Sequence, residues 1–154
     1  MAWQNFKIWR GKLPHWRADD VQYFITFRHQ RPLSPEECNT LFRQLLKPES
    51  RQWNLQILCV LPEATELLVT VNEKREGERF ELSDIVEKAK KVAGRLIIKK
   101  SGERFPPFYA ESFDRIMRDQ GEFEETWKSI VESPGRSNLI DNCDQYPSLW
   151  FPDE

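Results

Sequence analysis

Leu55-Gln56-Ile57-Leu58-Cys59-Val60-Leu61-Pro62-Glu63-Ala64-Thr65-Glu66-Leu67-Leu68-Val69-Thr70-Val71 is the stretch on which the fold turns. Two apolar runs, 55–61 and 67–71, meet at a short polar hinge opened by Pro62. Proline has no N–H to give to a ladder, so it ends one strand and begins a connection. The pattern predicts two strands, 54–61 and 65–72, joined through that hinge. Side chains alternate between the faces of an extended strand, so positions 64 and 66 share a face.

Upstream, residues 21–28 alternate Tyr23, Ile25 and Phe27 with Phe24, Thr26 and Arg28, which reads as a strand. Ser34-Pro35-Glu36-Glu37 is a helix start: serine as N-cap, proline at the first helical position, and a glutamate three residues on to complete a capping box. Cys38, Leu41, Phe42, Leu45 and Leu46 then recur at helical spacing, and the helix ends before Pro48. Beyond a charged turn near 74–78, a long helix is predicted over 82–100, with Leu82, Ile85, Val86, Ala89, Ala93, Leu96 and Ile97 on its apolar side. Residues 108–118 read as extended. Asp119-Gln120-Gly121-Glu122 offers a second capped start, and a third helix is expected to run to about Ser133, stopped by Pro134 and Gly135. Phe123, Trp127, Ile130 and Val131 give it a buried face. The order is β-α-β-β-α-β-α. It predicts an α+β fold: a ferredoxin-like antiparallel sheet with helices on one face.

A chain of 154 residues is the size of one domain. The expected organisation is a single domain over 1–154, with an aromatic and basic leader at 1–20 and a docking tail at 140–154 that carries Tyr146, Trp150 and Phe151. Apolar residues at 39% exclude wholesale disorder, and charges at 31% with both signs interspersed indicate a soluble globule. No apolar run approaches a membrane span, and the N-terminus has no compact apolar signal, so a cytoplasmic location and no membrane contact are expected. Three cysteines, Cys38, Cys59 and Cys143, are odd in number and far apart, which argues against a disulfide framework or a zinc finger. Cys38 and Cys59 read as small core residues.

The net charge of −2 weighs against a dedicated nucleic-acid-binding domain, because such affinity comes largely from cations facing phosphate. Local basic faces remain. In the leader, Arg10, Lys12, His15, Trp16 and Arg17 combine cations with rings. On the second helix Lys88, Lys91, Arg95 and Lys99 fall at spacings of three, four and four, with Lys90, Lys100 and Arg104 widening the row. Such surfaces suit phosphates and stacked bases. A solvated face laced with ion pairs explains the helix equally well, since Asp84 and Glu87 precede Lys88 and Lys91 by four residues. The third helix is acidic, with Glu122, Glu124, Glu125 and Glu132.

Several separated segments, in order, resemble the REP-associated branch of the single-tyrosine HUH transposases. Arg10-Gly11-Lys12-Leu13-Pro14-His15-Trp16 resembles the family's opening, and Tyr23-Phe24-Ile25-Thr26-Phe27-Arg28 its first strand. Leu61-Pro62-Glu63 with Leu67-Leu68-Val69 resembles the flanks of its His-x-His motif. Phe113-Asp114-Arg115-Ile116-Met117-Arg118-Asp119, Ser133-Pro134 and Tyr146-Pro147-Ser148 follow in the family's order. In that family a divalent metal held by the two histidines polarises a DNA phosphate, and a tyrosine on the last helix attacks it to become joined to the 5′ end. The resemblance places Ala64 and Glu66 at the two histidine positions and Ser129 near the tyrosine position, so it implies no catalytic residue, no metal and no cofactor here. Tyr109 is the remaining stand-in for the phenol. Three readings follow. The first is a catalytically inactive relative that binds hairpin or single-stranded DNA. The second is a transposase-derived scaffold for a protein partner. The third is an atypical metal-dependent transposase or nuclease using Glu66 and Tyr109. A homodimer is compatible with each.

Overall fold

The structure, a computed structural model, describes residues 21–137 and 145–152; the leader, with Arg10, Lys12, His15, Trp16 and Arg17, lies outside the described residues, as do 138–144 and 153–154. Along the chain run β1 (Tyr23–Arg28), α1 (Pro35–Leu46), β2 (Trp53–Val60), β3 (Ala64–Val71), the short pair β4 (Glu73–Arg75) and β5 (Glu78–Arg79), α2 (Leu82–Ser101), β6 (Phe113–Ile116), α3 (Gln120–Arg136) and β7 (Leu149–Trp150). Five strands form one sheet in the order β6-β1-β3-β2-β7, antiparallel throughout. The α+β antiparallel fold is thus as the apolar pattern predicts. Among the described residues no helix is long and apolar enough to cross a membrane.

Strand β3 lies at the centre, pairing Ala64 with Arg28 and Glu66 with Thr26 on one side, and Glu66 with Cys59 on the other. Its alternation sorts the core into two layers. Leu67 and Val69 join Ile25, Phe27, Leu55 and Leu58 against α1 and α2, while Leu68 joins Ile57 and Cys59 against Phe123, Trp127 and Ile130 of α3. The one-face arrangement expected from the pattern therefore holds for α1 and α2, and α3 covers the opposite face. The reason lies in the strands: β2 and β3 are apolar at consecutive positions, so both faces demand cover. Cys38 and Cys59 are buried in these layers.

A bulge in β2 couples the layers. Leu55 pairs with Val69 and Ile57 with Leu68, leaving Gln56 as the extra residue. The bulge turns Leu55 toward α1 and α2 and Ile57 toward α3. The carbonyl of Gln56 accepts the indole N–H of fully buried Trp127 at 3.1 Å, which anchors α3 to the sheet. Aromatic packing of Trp127 on Phe151, at 5.6 Å between ring centres, holds the tail beside it. The Tyr146 hydroxyl donates to the Val60 carbonyl at 2.7 Å, and β7 pairs with the outer edge of β2.

Helix boundaries follow local chemistry with one departure. Ser34 and Glu37 form the reciprocal capping box that starts α1. At α3 Asp119 accepts from the Glu122 N–H at 2.8 Å, but Glu122 reaches back to the N–H of Arg118 rather than to that of Asp119. The departure is at the end of α3, which continues through Pro134 to Arg136 instead of stopping at Ser133. Proline in a last turn forfeits one backbone bond, and the Ser137 N–H still closes onto the Ser133 carbonyl at 3.1 Å. The charged turn near 74–78 is a two-stranded hairpin in which Gly77 takes the left-handed φ of 77°.

Trp127→Phe removes the indole donor and leaves the Gln56 carbonyl without its partner, an expected loss of about 1–3 kcal/mol in urea unfolding. Trp127→Ala adds a cavity, for a total of about 3–5 kcal/mol.

Candidate functional site

The face of β3 that carries Ala64 and Glu66 looks toward α3, and a shallow groove of about 190 Å³ opens there. Phe24, Glu66, Arg115, Glu125, Thr126 and Ser129 line it. Antiparallel pairing places Thr26 beside Glu66 and Arg115 beside Phe24, and the Arg115 guanidinium lies 5.9 Å from the Phe24 ring. Helical periodicity places Ser129 and Ser133 one turn apart on α3. Ser133, 2% exposed, has its hydroxyl 2.8 Å from Glu66 Oε1 and 2.9 Å from the Ser129 carbonyl, with one proton to direct to either. Arg136 donates to the same hydroxyl at 2.9 Å and approaches Ser129 Oγ at 3.4 Å. Glu66 and Ser129, distant in sequence, thus meet in one groove. Ser133 and Arg136, which complete the network, carry no catalytic signature in sequence; their only signal is the four- and seven-residue spacing from Ser129.

Tyr109 does not join this groove. Its carbonyl accepts from Lys90 Nζ of α2 at 2.6 Å, which ties the segment to the side of the sheet that α2 covers, while its ring is half exposed. Tyr109 is not among the residues that line the groove with Glu66. Lys90 itself is buried, lying 4.6 Å from the centre of the Phe27 ring and 3.4 Å from the Ala110 carbonyl. Burial pulls its pKa down from the ordinary lysine value. It is a clamp on the loop before β6 and not part of the surface row that its spacing suggests.

His29 is the second polar clamp. It is 7% exposed, with Nδ1 2.8 Å from the Pro62 carbonyl and Nε2 3.0 Å from Thr65 Oγ1. The carbonyl only accepts, so Nδ1 carries the proton and Nε2 accepts from the threonine hydroxyl. A neutral imidazole thus holds the β2–β3 hinge from the face opposite Glu66. Burial lowers its pKa below 6.5, the charge of Lys90 adds to this, and the bond to Pro62 works against it. The Arg31 guanidinium binds both oxygens of Glu37 at 2.8 and 2.7 Å and reaches Glu103 beyond α2. That bond holds the Glu37 carboxyl at about 2.

The cationic row lies on the other side of the sheet from the groove. Lys88, Lys91, Arg95 and Lys99 are all exposed on α2, and none has an ion-pair partner among the described residues. Asp84 and Glu87 do not close onto Lys88 and Lys91. Of the residues flanking the row, Lys100 pairs with Glu36 of α1, and Arg104 lies 5.5 Å from the ring of exposed Phe105. On α3 Glu122 is bound by Arg118 and Glu124 accepts from Gln120, whereas Glu132 is buried, which raises its pKa.

No protein-family model matches the chain, and neither does any curated protein sequence. Among solved structures, a REP-associated tyrosine transposase bound to a REP hairpin superposes with a TM-score of 0.61 at 12% identity, over 87% of this chain and 80% of the other. The fold is that of a tyrosine transposase. A candidate transposase from Deinococcus radiodurans R1 also aligns, at 11% identity and a TM-score of 0.47, over 74% of this chain and 92% of that one. Within the transposase fold, the donors in the groove do not suit a divalent metal. Ala64 offers no donor atom, Glu66 offers one carboxylate already bound to Ser133, and His29 faces the other way. Among the described residues no three His, Cys, Asp or Glu side chains cluster closely enough to hold an ion.

The His29 clamp makes stability fall on mild acidification. Its folded pKa lies below the unfolded 6.5, so its contribution is complete above 6.5 and is lost as pH falls through the folded value. Thermal melts between pH 7.5 and 5 should show a declining Tm, with a flatter slope in His29→Gln.

Proposed function

We propose that this chain is a transposase-derived DNA-binding protein that has given up strand cleavage and acts as one domain on hairpin or single-stranded DNA. The observation that carries the binding is the row Lys88, Lys91, Arg95 and Lys99, four exposed cations with no ion-pair partner among the described residues. A helix that presents such a row can track a phosphate backbone, and exposed Phe105 beside Arg104 offers a stacking surface near its end. The solved neighbour that binds a REP hairpin supports DNA as the ligand class.

Loss of cleavage rests on the groove. Phosphoryl transfer in this fold needs a polarising ion and an attacking hydroxyl of suitable acidity. The positions matched to the two histidines and the tyrosine carry a methyl group, a carboxylate and a serine. The Ser133 hydroxyl is buried and bonded to Glu66, and Glu125 places a further negative charge on the rim. A phosphate entering this groove meets two carboxylates with Arg115 and Arg136 to offset them, whereas the exposed row on α2 sets four cations against Asp84 and Glu87, with which none of them forms an ion pair.

Binding to a fluorescent hairpin should weaken with salt at a log–log slope of about −3 to −4, as expected when roughly four phosphates are neutralised. Lys91→Ala should reduce that slope by about one, and charge reversal at all four positions should abolish the salt-sensitive component. Incubation with magnesium or manganese and a 5′-labelled strand should give no covalent adduct on a denaturing gel. A labelled protein band would overturn the loss of cleavage, and a salt-independent Kd would overturn the phosphate contacts.

A further inference from the structure

A second concavity among the described residues belongs to neither the groove nor the cationic row. A trough of about 780 Å³ opens where the β4–β5 hairpin faces the start of α2 and the first residues of β1. Its wall sets apolar Ile25, Val71 and Val86 and half-buried Tyr23, Phe80 and Leu82 among polar residues such as Asn72 and Ser83. Its rim is acidic. Glu78, Glu81, Glu87 and Asp114 are exposed around it; Glu78 pairs with Arg75 at 2.9 Å, and the other three have no ion-pair partner among the described residues. The one cation in the lining, Arg79, is committed to the Val71 carbonyl at 2.7 Å. Helix α2 starts after Glu81 without a side-chain cap, and Leu82 and Ser83 of its first turn, where helix N–H groups lack intrahelical partners, line this trough.

These features select an occupant. Three unpaired carboxylates exclude a nucleic-acid backbone and call for cations. The apolar floor calls for aliphatic or aromatic side chains between those cations, and orphan helix N–H groups suit main-chain carbonyls. The volume is that of a ligand site rather than of an extended interface. We propose that the trough binds a short basic segment of a partner protein, in which Lys or Arg alternates with aliphatic or aromatic residues. The fold then carries two surfaces of opposite charge: one for phosphate on α2, and one for a basic peptide at the α2 start.

The test is a titration of the full ¹⁵N-labelled chain with acetylated, amidated pentapeptides in which Lys or Arg alternates with Leu or Phe, followed by amide shifts. Saturable shifts at Gly77, Leu82, Ser83 and Val86 are expected. Replacing the peptide cations with Gln should weaken binding at least ten-fold, as should the triple variant Glu81→Gln/Glu87→Gln/Asp114→Asn, whose fold is checked by circular dichroism. Hairpin DNA should leave these four amides in place. The proposal fails if no peptide of the series moves them at millimolar concentration, if neutral peptides bind as well as basic ones, or if the triple variant binds unchanged.

Discussion

Strand β3 is the constraint on which the rest of the molecule depends. It is bonded on both sides, to β1 and β2, and apolar cover lies over both faces. A strand in that position has no freedom of register, because a slip of one residue would exchange Leu67 and Val69 with Glu66 and Leu68 and drive a carboxylate into the layer under α1 and α2. The same alternation puts Ala64 and Glu66 on the face toward α3, with Glu66 in the groove, and brings Thr65 to the His29 clamp. Scaffold and candidate site are therefore two readings of one pleat.

Charge is segregated by surface. Lys88, Lys91, Arg95 and Lys99 of α2 have no ion-pair partner among the described residues, carboxylates rim the trough at the start of that helix, and those on the α3 side are in part bound by Arg118, Gln120 and Ser133. A net charge near zero hides this division, because opposite surfaces cancel in the sum. Electrostatic fields act locally, within about a Debye length of 8–10 Å, so what a phosphate or a basic peptide meets is the face and not the total.

Several polar residues with the look of chemistry are spent on architecture. His29 pins the hinge, Lys90 pins the loop before β6, and Arg31 joins the start of α1 to the chain beyond α2. His29 and Lys90 bond carbonyls of irregular connections, and Arg31 bridges two carboxylates. Lys90 illustrates why spacing misleads. It lies one residue from the exposed face, and 100° of helical rotation is enough to move an ammonium from solvent to the edge of the Phe27 ring.

By itself the sequence determined the strands about Pro62, the capped start at Ser34, the apolar faces of three helices, and the absence of imidazole at 64 and 66 or of a phenol at 129. These are local properties, set by periodicity, by the missing N–H of proline and by the atoms each side chain does or does not carry. Tertiary structure decided which face each helix covers, that α3 runs through Pro134, that Glu66 bonds Ser133, and that the basic row stands apart from the groove. Those outcomes depend on residues far apart in the chain competing for the two sides of one sheet, and no window of neighbouring residues contains that competition.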